Sequence, residues 1–293
     1  MKQLIMKNIS KSYGPVHALN RVHLNFSENG IYGLYGRNGA GKTTLLNILS
    51  SRIFADTGTV TWDGRDVVRH PEKIAASCCY MPEKHLFPGG FKISRLLSLA
   101  QQAFPDYSKQ TETRLCRAFH LNTGLRYNQL SGGFQSIFRI VLGLASNAPI
   151  TLFDEPVLGL DAVSRDRFYQ ELIHAFSEHP RLFIISTHLI SESADLFNEA
   201  VIIHNGEILR QAPVEALLSN AFYVSGRASD VNTFLKDRTV LGSQDVNDLK
   251  TAVVEGNLHT EKPIPGLQFS SLTIQKLFIQ LTADPWGQES DHE

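Results

Sequence analysis

Short apolar runs alternate with longer amphipathic stretches along the first 215 or so residues. Residues 2–9 and 20–27 mix apolar and polar positions in the alternation of strands with one buried face. Ile31–Tyr35 is an apolar run closed by Gly36, and a helix is expected from Gly41 to about Ser50. Val60–Trp62 reads as a strand ahead of the turn Asp63-Gly64. Residues 93–104 and 109–120 carry helical periodicity broken at Pro105, and Gln135–Ser146 reads as another helix. Ile150–Phe153, Leu182–Ser186 and Ala200–His204 are apolar runs of strand length, with an amphipathic stretch at 162–177 between the first two. Strands without a polar face, separated by helices, predict an α/β fold with crossover units and a largely parallel, buried sheet.

The pattern changes near Leu209–Asn220, where Pro213 starts a short helix. Beyond it come strand-like runs at Ala221–Ser225, Thr251–Val254 and Gly266–Ser270. One amphipathic helix has Ile274, Leu277, Phe278 and Leu281 on a single face. The expected division is therefore a domain over residues 1–215 and a smaller accessory α+β domain over 216–293, whose tail Gly287–Glu293 reads as a frayed end. This second unit shows no motif of recognisable chemistry.

Composition removes several function classes. The 293 residues carry 28 Lys and Arg against 29 Asp and Glu, a net charge of −1, which disfavours a nucleic-acid-coating surface. At 42% hydrophobic and 19% charged, the chain has ordinary globular composition, and its length suits two domains. No apolar run is long enough to span a membrane, and Met1–Lys7 has no signal-peptide core. Cys78, Cys79 and Cys116 form no metal-ligand spacing, so reduced, mostly buried thiols in the cytoplasm are expected. There is no repeat and no low-complexity segment.

Two motifs then bring in chemistry. Gly36-Arg37-Asn38-Gly39-Ala40-Gly41-Lys42-Thr43 fits G-x-x-x-x-G-K-[ST] and sits between an apolar strand and a helix. The glycines let backbone N–H groups converge on phosphate oxygens, and the helix N-terminus adds its dipole. Gly36, Asn38, Gly39, Ala40, Gly41 and Thr44 are expected around the phosphates, Lys42 on the outer ones and the Thr43 hydroxyl on Mg²⁺. Secondly, the run Ile150–Phe153 ends in Asp154-Glu155. A buried strand ending in Asp delivers a carboxylate to the sheet edge where α/β ligands bind. Asp154 then suits Mg²⁺, and Glu155 suits the water that attacks the terminal phosphate.

Leu130-Ser131-Gly132-Gly133, before the helix at 135–146 and ahead of Asp154, resembles the signature of ATP-binding cassette (ABC) ATPases. A hydroxyl and two glycines at a helix N-terminus make a second anion receptor. Other segments fall in family order. Tyr13 matches the aromatic that stacks on adenine, Gly159-Leu160-Asp161 the loop that couples two sites, and His188 the histidine on the terminal phosphate. The resemblance covers about residues 2–215 and implies a P-loop ATPase core with a parallel sheet, an antiparallel β subdomain and an inserted helical subdomain over about 84–146. It also implies ATP hydrolysis with ATP and Mg²⁺. Two copies are expected to sandwich each ATP between the phosphate loop of one and Ser131, Gly132 and Gly133 of the other. A separate membrane-spanning subunit is the second expected partner, holding the chain peripherally on the inner face of the cell membrane; no nucleic acid is expected.

Two positions depart from the family. Glu83, in Tyr80-Met81-Pro82-Glu83, stands where Gln is usual. It keeps an oxygen for Mg²⁺ or water but adds charge beside a polyphosphate, which should weaken nucleotide binding. Phe134 stands where Gln or Glu usually follows the signature glycines. Together with the C-terminal extension these departures resemble exporter ATPases that pair with a separate membrane subunit and handle peptides, antibiotics or polysaccharides. Lys84–Arg95, with His85, Leu86, Phe87, Pro88 and Phe91, corresponds to the family's groove for that subunit. The same residues also read as subdomain core plus a turn at Pro88-Gly89-Gly90. The alternative functions are a soluble ABC ATPase or an ATP-sensing regulatory module. One phosphate loop, and no sustained heptads between Thr43 and Ser131, disfavour translation-type and chromosome-type members; retention of Lys42, Asp154, Glu155 and His188 disfavours a non-hydrolysing sensor.

Overall fold

A computed structural model describes residues 2–84, 87–193 and 196–282. His85, Leu86 and the tail Gly287–Glu293 lie outside the described residues. In chain order the elements begin with β1 (Gln3–Tyr13), β2 (Val16–Ser27), β3 (Gly30–Tyr35), α1 (Lys42–Leu49), β4 (Thr57–Trp62), β5 (Arg65–Asp66), α2 (Pro71–Ser77) and β6 (Cys78–Met81). Next are α3 (Ile93–Ala103), α4 (Lys109–Ala118), α5 (Gly132–Ala145), β7 (Ile150–Asp154), α6 (Ala162–Glu178), β8 (Leu182–Thr187), α7 (Ile190–Ser193), β9 (Glu199–His204) and β10 (Glu207–Pro213). The last are α8 (Val214–Ser219), β11 (Ala221–Arg227), α9 (Ala228–Leu235), β12 (Val240–Val246), β13 (Leu249–Glu255), β14 (Leu267–Ser271) and α10 (Ile274–Thr282).

Among the described residues the strands form three sheets. The central one has the order β10-β9-β3-β8-β7-β6. Within it β3 pairs with β8 and β9, β7 with β8, and β6 with β7, all in parallel. Every residue of β3, β7 and β8 is buried, as a sheet covered on both faces requires. The second sheet, β2-β1-β4-β5, is antiparallel along β1–β2, β1–β4 and β4–β5. It supplies Leu4, Met6, Val22, Leu24 and Phe26 to the core shared with Leu34, Leu45 and Leu152. This is the α/β core with an antiparallel β subdomain that the sequence leads one to expect.

By compactness the chain divides into two units: Met1–Leu189 with Leu196–Gln211, and Ile190–Asp195 with Ala212–Glu293. The second is α+β. Its antiparallel sheet, β12-β13-β11-β14, packs Phe222, Val224, Ala252 and Val254 against Val231 and Phe234 of α9.

Several elements exceed their sequence reading. β1 and β2 run on to Tyr13 and back from Val16, because pairing across the hairpin stabilises polar positions that alternation alone leaves out. α5 begins at Gly132 rather than Gln135, since the Ser131 side chain caps it by accepting from the Phe134 N–H. α2, β6, β10, α9 and β12 have no counterpart in the periodicity reading. β6 is only four residues long and is defined by its pairing with β7, and β12 is largely exposed, with no apolar alternation to mark it.

The cysteines are free thiols, with Cys79 buried and Cys78 and Cys116 partly so. Burial pushes all three upward, Cys79 to about 12 and Cys116 to about 11. Raised values keep the unreactive neutral thiol at neutral pH. The folded chain at pH 7.5 should therefore react with a maleimide far more slowly than the unfolded chain, in which all three thiols label; mass spectrometry of timed samples measures this.

Candidate functional site

The site begins at the C-terminal end of β3. The loop 36–41 turns back under the start of α1, with Gly39 at φ 80° and Gly41 at φ 109°, a left-handed backbone that glycine adopts freely. A side chain at Gly41 would also meet the Ala18 carbonyl at 2.6 Å, so both space and dihedral require glycine there. Lys42 is only 7% exposed. Its ammonium donates to the Gly36 carbonyl at 2.7 Å and lies 3.5 Å from Glu155 Oε1. The lysine is thus stretched across the mouth of the loop and shares its charge with the acid at the end of β7.

Asp154 is the most enclosed acid of the site, at 1% exposure. Three hydroxyls converge on it. Thr43 Oγ1 donates to Oδ2 at 2.7 Å, Ser186 Oγ to Oδ1 at 2.5 Å, and the Tyr80 phenol reaches Oδ2 at 3.4 Å. Burial and the adjacent carboxylate push the Tyr80 phenol far above its ordinary range, so it stays a donor. A hydroxyl oxygen and a carboxylate oxygen side by side are hard oxygen ligands of the kind Mg²⁺ takes, alongside phosphate oxygens. The donor set therefore fits that ion.

Glu155 leaves the strand with φ 46°, an uncommon conformation for this residue type. The turn is held by its N–H, which donates to both the carbonyl and the Oγ of Ser186 at 3.1 Å. It re-aims the carboxylate away from the Asp154 direction: Oε1 faces Lys42, while Oε2 lies 2.9 Å from His188 Nδ1. Backbone strain of this kind is tolerated where surroundings fix it, commonly at functional sites. Lys42, Thr43, Asp154, Glu155 and His188 thus form one connected network.

A cleft of about 330 Å³ opens over these groups, lined by Val16, Ala18, Arg37, Asn38, Gly39, Gly41, Lys42, Thr43, Thr44, Glu83, Asp154 and Glu155. Gly36 and Ala40 do not line it. Gly36 faces Ile203, and Ala40 is buried in the core. Tyr13 does not line the cleft either, but its ladder partner Val16 does, and its ring is half exposed at the end of the β1–β2 hairpin.

Ser131, Gly132, Gly133 and Asp161 are likewise absent from the lining. Ser131 caps α5 and Asp161 caps α6, its carboxylate accepting from the Ser164 N–H at 2.7 Å. That hydrogen bond holds the Asp161 carboxyl below its ordinary value. A Cβ on Gly133 would lie 2.7 Å from the Gly159 carbonyl, so the start of α5 and the 159–161 loop are in close contact. Sequence reading overlooked Ser186 and Tyr80. A serine just ahead of Thr187-His188 and a tyrosine three residues before Glu83 carry no spacing signal, and only the parallel ladder brings them to Asp154.

A protein-family model described as ABC transporter matches residues 19–158. The ABC transporter ATP-binding protein YtrB of Bacillus subtilis is 25% identical over 80% of this chain and 80% of its own length. A probable sulfate/thiosulfate import ATP-binding protein CysA of Chlorella vulgaris is 29% identical over 73% of this chain and 92% of its own. Among solved structures, the dimeric post-hydrolysis state of the cassette MJ0796, bound to ADP and Pi, superposes with a TM-score of 0.63 at 23% identity, covering 72% of this chain and 98% of that one.

Replacing Lys42 with Ala removes the charge at the mouth of the loop and leaves Glu155 facing His188 alone. Affinity for Mg-ATP, measured by titration with a fluorescent nucleotide, should fall by about tenfold or more, as expected for loss of a charged hydrogen bond of roughly 1.5–3 kcal/mol.

Proposed function

The chain carries the ATP-binding domain of ABC transporters, and from that premise we propose that two identical copies clamp two ATP molecules between them and drive export of a small cargo, such as a peptide or antibiotic, through a separate membrane-spanning subunit. The observation that carries the dimer is the division of the phosphate-binding groups. Lys42, Thr43, Asp154 and Glu155 line one cleft, while Ser131, Gly132 and Gly133, a second anion receptor at the N-terminus of α5, do not. A two-fold pair of such chains completes each cleft with the α5 terminus of the other copy.

Within one completed cleft each group has a task. Gly39, Gly41 and the N-terminus of α1 receive the phosphates on backbone N–H groups, with Asn38 and Thr44 beside them. Tyr13, on the hairpin next to Val16, offers a ring face to the adenine. Lys42 holds the outer phosphates. Thr43 and Asp154, together with Glu83, would hold Mg²⁺, and that ion would supply charge neutralisation at the phosphates. Glu155 orients the attacking water and takes its proton, and His188, bonded to Glu155, fixes that carboxylate and reaches toward the terminal phosphate. Positioning and electrostatics do the catalytic work. Loss of the terminal phosphate removes contacts to the opposite Ser131, and Asp161, next to the start of α5, passes that change between the two sites.

The partner surface is supported by a second concavity of about 720 Å³, away from the phosphate loop, lined by Pro88, Gly90, Phe91, Lys92, Ser94, Arg95 and Ser98. Phe91 is 44% exposed there, a large apolar side chain left toward solvent. Phe87, by contrast, packs against Tyr127 and Phe138 and belongs to the subdomain core. No helix among the described residues is long and apolar enough to cross a membrane, which agrees with a separate membrane subunit. Export as the direction rests on Glu83, Phe134 and the C-terminal unit, and transport into or out of sealed vesicles holding both subunits decides it.

Glu155→Gln keeps the shape of the site and removes the base. Phosphate release should fall about a hundredfold or more, and light scattering in saturating Mg-ATP should give twice the monomer mass. A monomeric mass, both alone and with the membrane subunit present, would remove the dimer; ordinary turnover would remove Glu155 as the base.

A further inference from the structure

Arg139 is only 5% exposed, on the second turn of α5 beyond the signature glycines. Its fork spans two elements. One terminal nitrogen donates to the Pro82 carbonyl at 2.5 Å, and the other to Ser136 Oγ at 2.8 Å. Ser136, 1% exposed, donates its own O–H to the Leu158 carbonyl at 2.9 Å. Pro82 is joined to Glu83, and Leu158 leads through Gly159 and Leu160 to Asp161. One turn of α5 therefore ties the peptide that presents Glu83 to the loop that presents Asp161.

The charge of Arg139 also calls for an explanation. Burial disfavours the cation and pulls it below its ordinary value, and its Nε has no hydrogen-bond partner among the described residues. Tyr127 first, and then Glu83 and Asp154, which both line the nucleotide cleft, oppose that pull by favouring the charged form. A methionine would fill the same kind of space without the desolvation cost. What a guanidinium adds is a rigid fork for two acceptors and a positive charge behind Glu83.

We propose that Arg139 is a positioning residue for ATP hydrolysis: it fixes the Pro82–Glu83 peptide, offsets the Glu83 charge beside the polyphosphate, and through Ser136 links that peptide to the Asp161 loop. The inference rests on ATP hydrolysis at this cleft and is independent of cargo and direction of transport. It also accounts for a chain that carries Glu at position 83, since the extra negative charge is met from inside the protein as well as by the exposed Lys84, 3.2 Å from Glu83 Oε1.

The test is a double-mutant cycle in the full chain, reading kcat and KM for Mg-ATP by phosphate release together with the thermal midpoint. Arg139→Met should raise KM and lower kcat, each by roughly tenfold, because Glu83 is then misplaced and keeps only the exposed Lys84, 3.2 Å from its Oε1, as a cation partner. Adding Glu83→Gln to Arg139→Met should restore about threefold or more of the lost kcat/KM, a coupling that independent sites do not show. Arg139→Lys, which keeps the charge and loses the fork, should hold KM near the wild-type value while kcat falls. Ser136→Ala should lower kcat alone. Strict additivity of Arg139→Met and Glu83→Gln would overturn the proposal, and so would losses that track the thermal midpoint with kcat and KM of the folded fraction unchanged. If Arg139→Met does not fold, Arg139→Lys and Ser136→Ala still decide, since a purely structural role predicts no separation of kcat from KM in either. A wild-type chain without turnover would refute hydrolysis itself, a result distinct from either of these.

Discussion

The site depends on one enclosed carboxylate. Asp154 lies at the end of an all-buried strand, and burying an ionised acid is costly unless its lone pairs are met. Here they are met by hydroxyls from three other segments: Thr43 after β3, Ser186 on β8 and Tyr80 on β6. Each donor arrives only if the parallel strands lie in one register, with Asp154 opposite Ser186 and Tyr35 opposite Thr187. A slip of one residue would turn Ser186 to the other face and strand the charge. The same Ser186 receives the Glu155 N–H and so fixes the left-handed turn that aims Glu155 at Lys42 and His188. Register, charge burial and the aim of Glu155 are therefore one constraint.

That constraint explains which parts of the molecule were legible in the sequence. The buried strands Ile31–Tyr35, Ile150–Phe153 and Leu182–Ser186 announce themselves because a sheet covered on both faces needs continuous apolar runs. The phosphate loop is legible because its glycines serve backbone geometry, which acts locally. Ser186, Tyr80 and Ser136 were not legible, because a hydroxyl acquires a role only from the neighbour that tertiary pairing brings. Elements such as β12 and α9 escaped for a different reason. The stability of α9 comes from one apolar face, with Val231 and Phe234 its marked positions, and a short helix with few such positions gives weak periodicity; β12 is largely exposed and is held by its pairing with β13.

The separation of the two anion receptors within one chain has a mechanical meaning. A cleft completed within a single chain would bind and hydrolyse without moving anything larger than a loop. In the proposed dimer a cleft that lacks the α5 terminus would be completed by the other copy, so that binding energy would become closure, and loss of the terminal phosphate opening. The close approach of Gly133 to the Gly159 carbonyl matters in this respect, because it sets the start of α5 directly against the Asp161 loop.

Arg139 extends that logic into the interior. Charge at position 83 would by itself oppose a polyphosphate, and the exposed Lys84, 3.2 Å from Glu83 Oε1, offsets it only weakly in solvent. A guanidinium inside the protein acts through a lower effective dielectric, so the same separation counts for more. Its own desolvation is the cost, and the unpartnered Nε shows that the pocket is not built to satisfy the arginine fully. A side chain chosen for packing alone would have avoided both penalties. The arrangement is coherent only if the two acceptors it holds, the Pro82 carbonyl and Ser136, must stay in fixed relation while nucleotide is bound and hydrolysed.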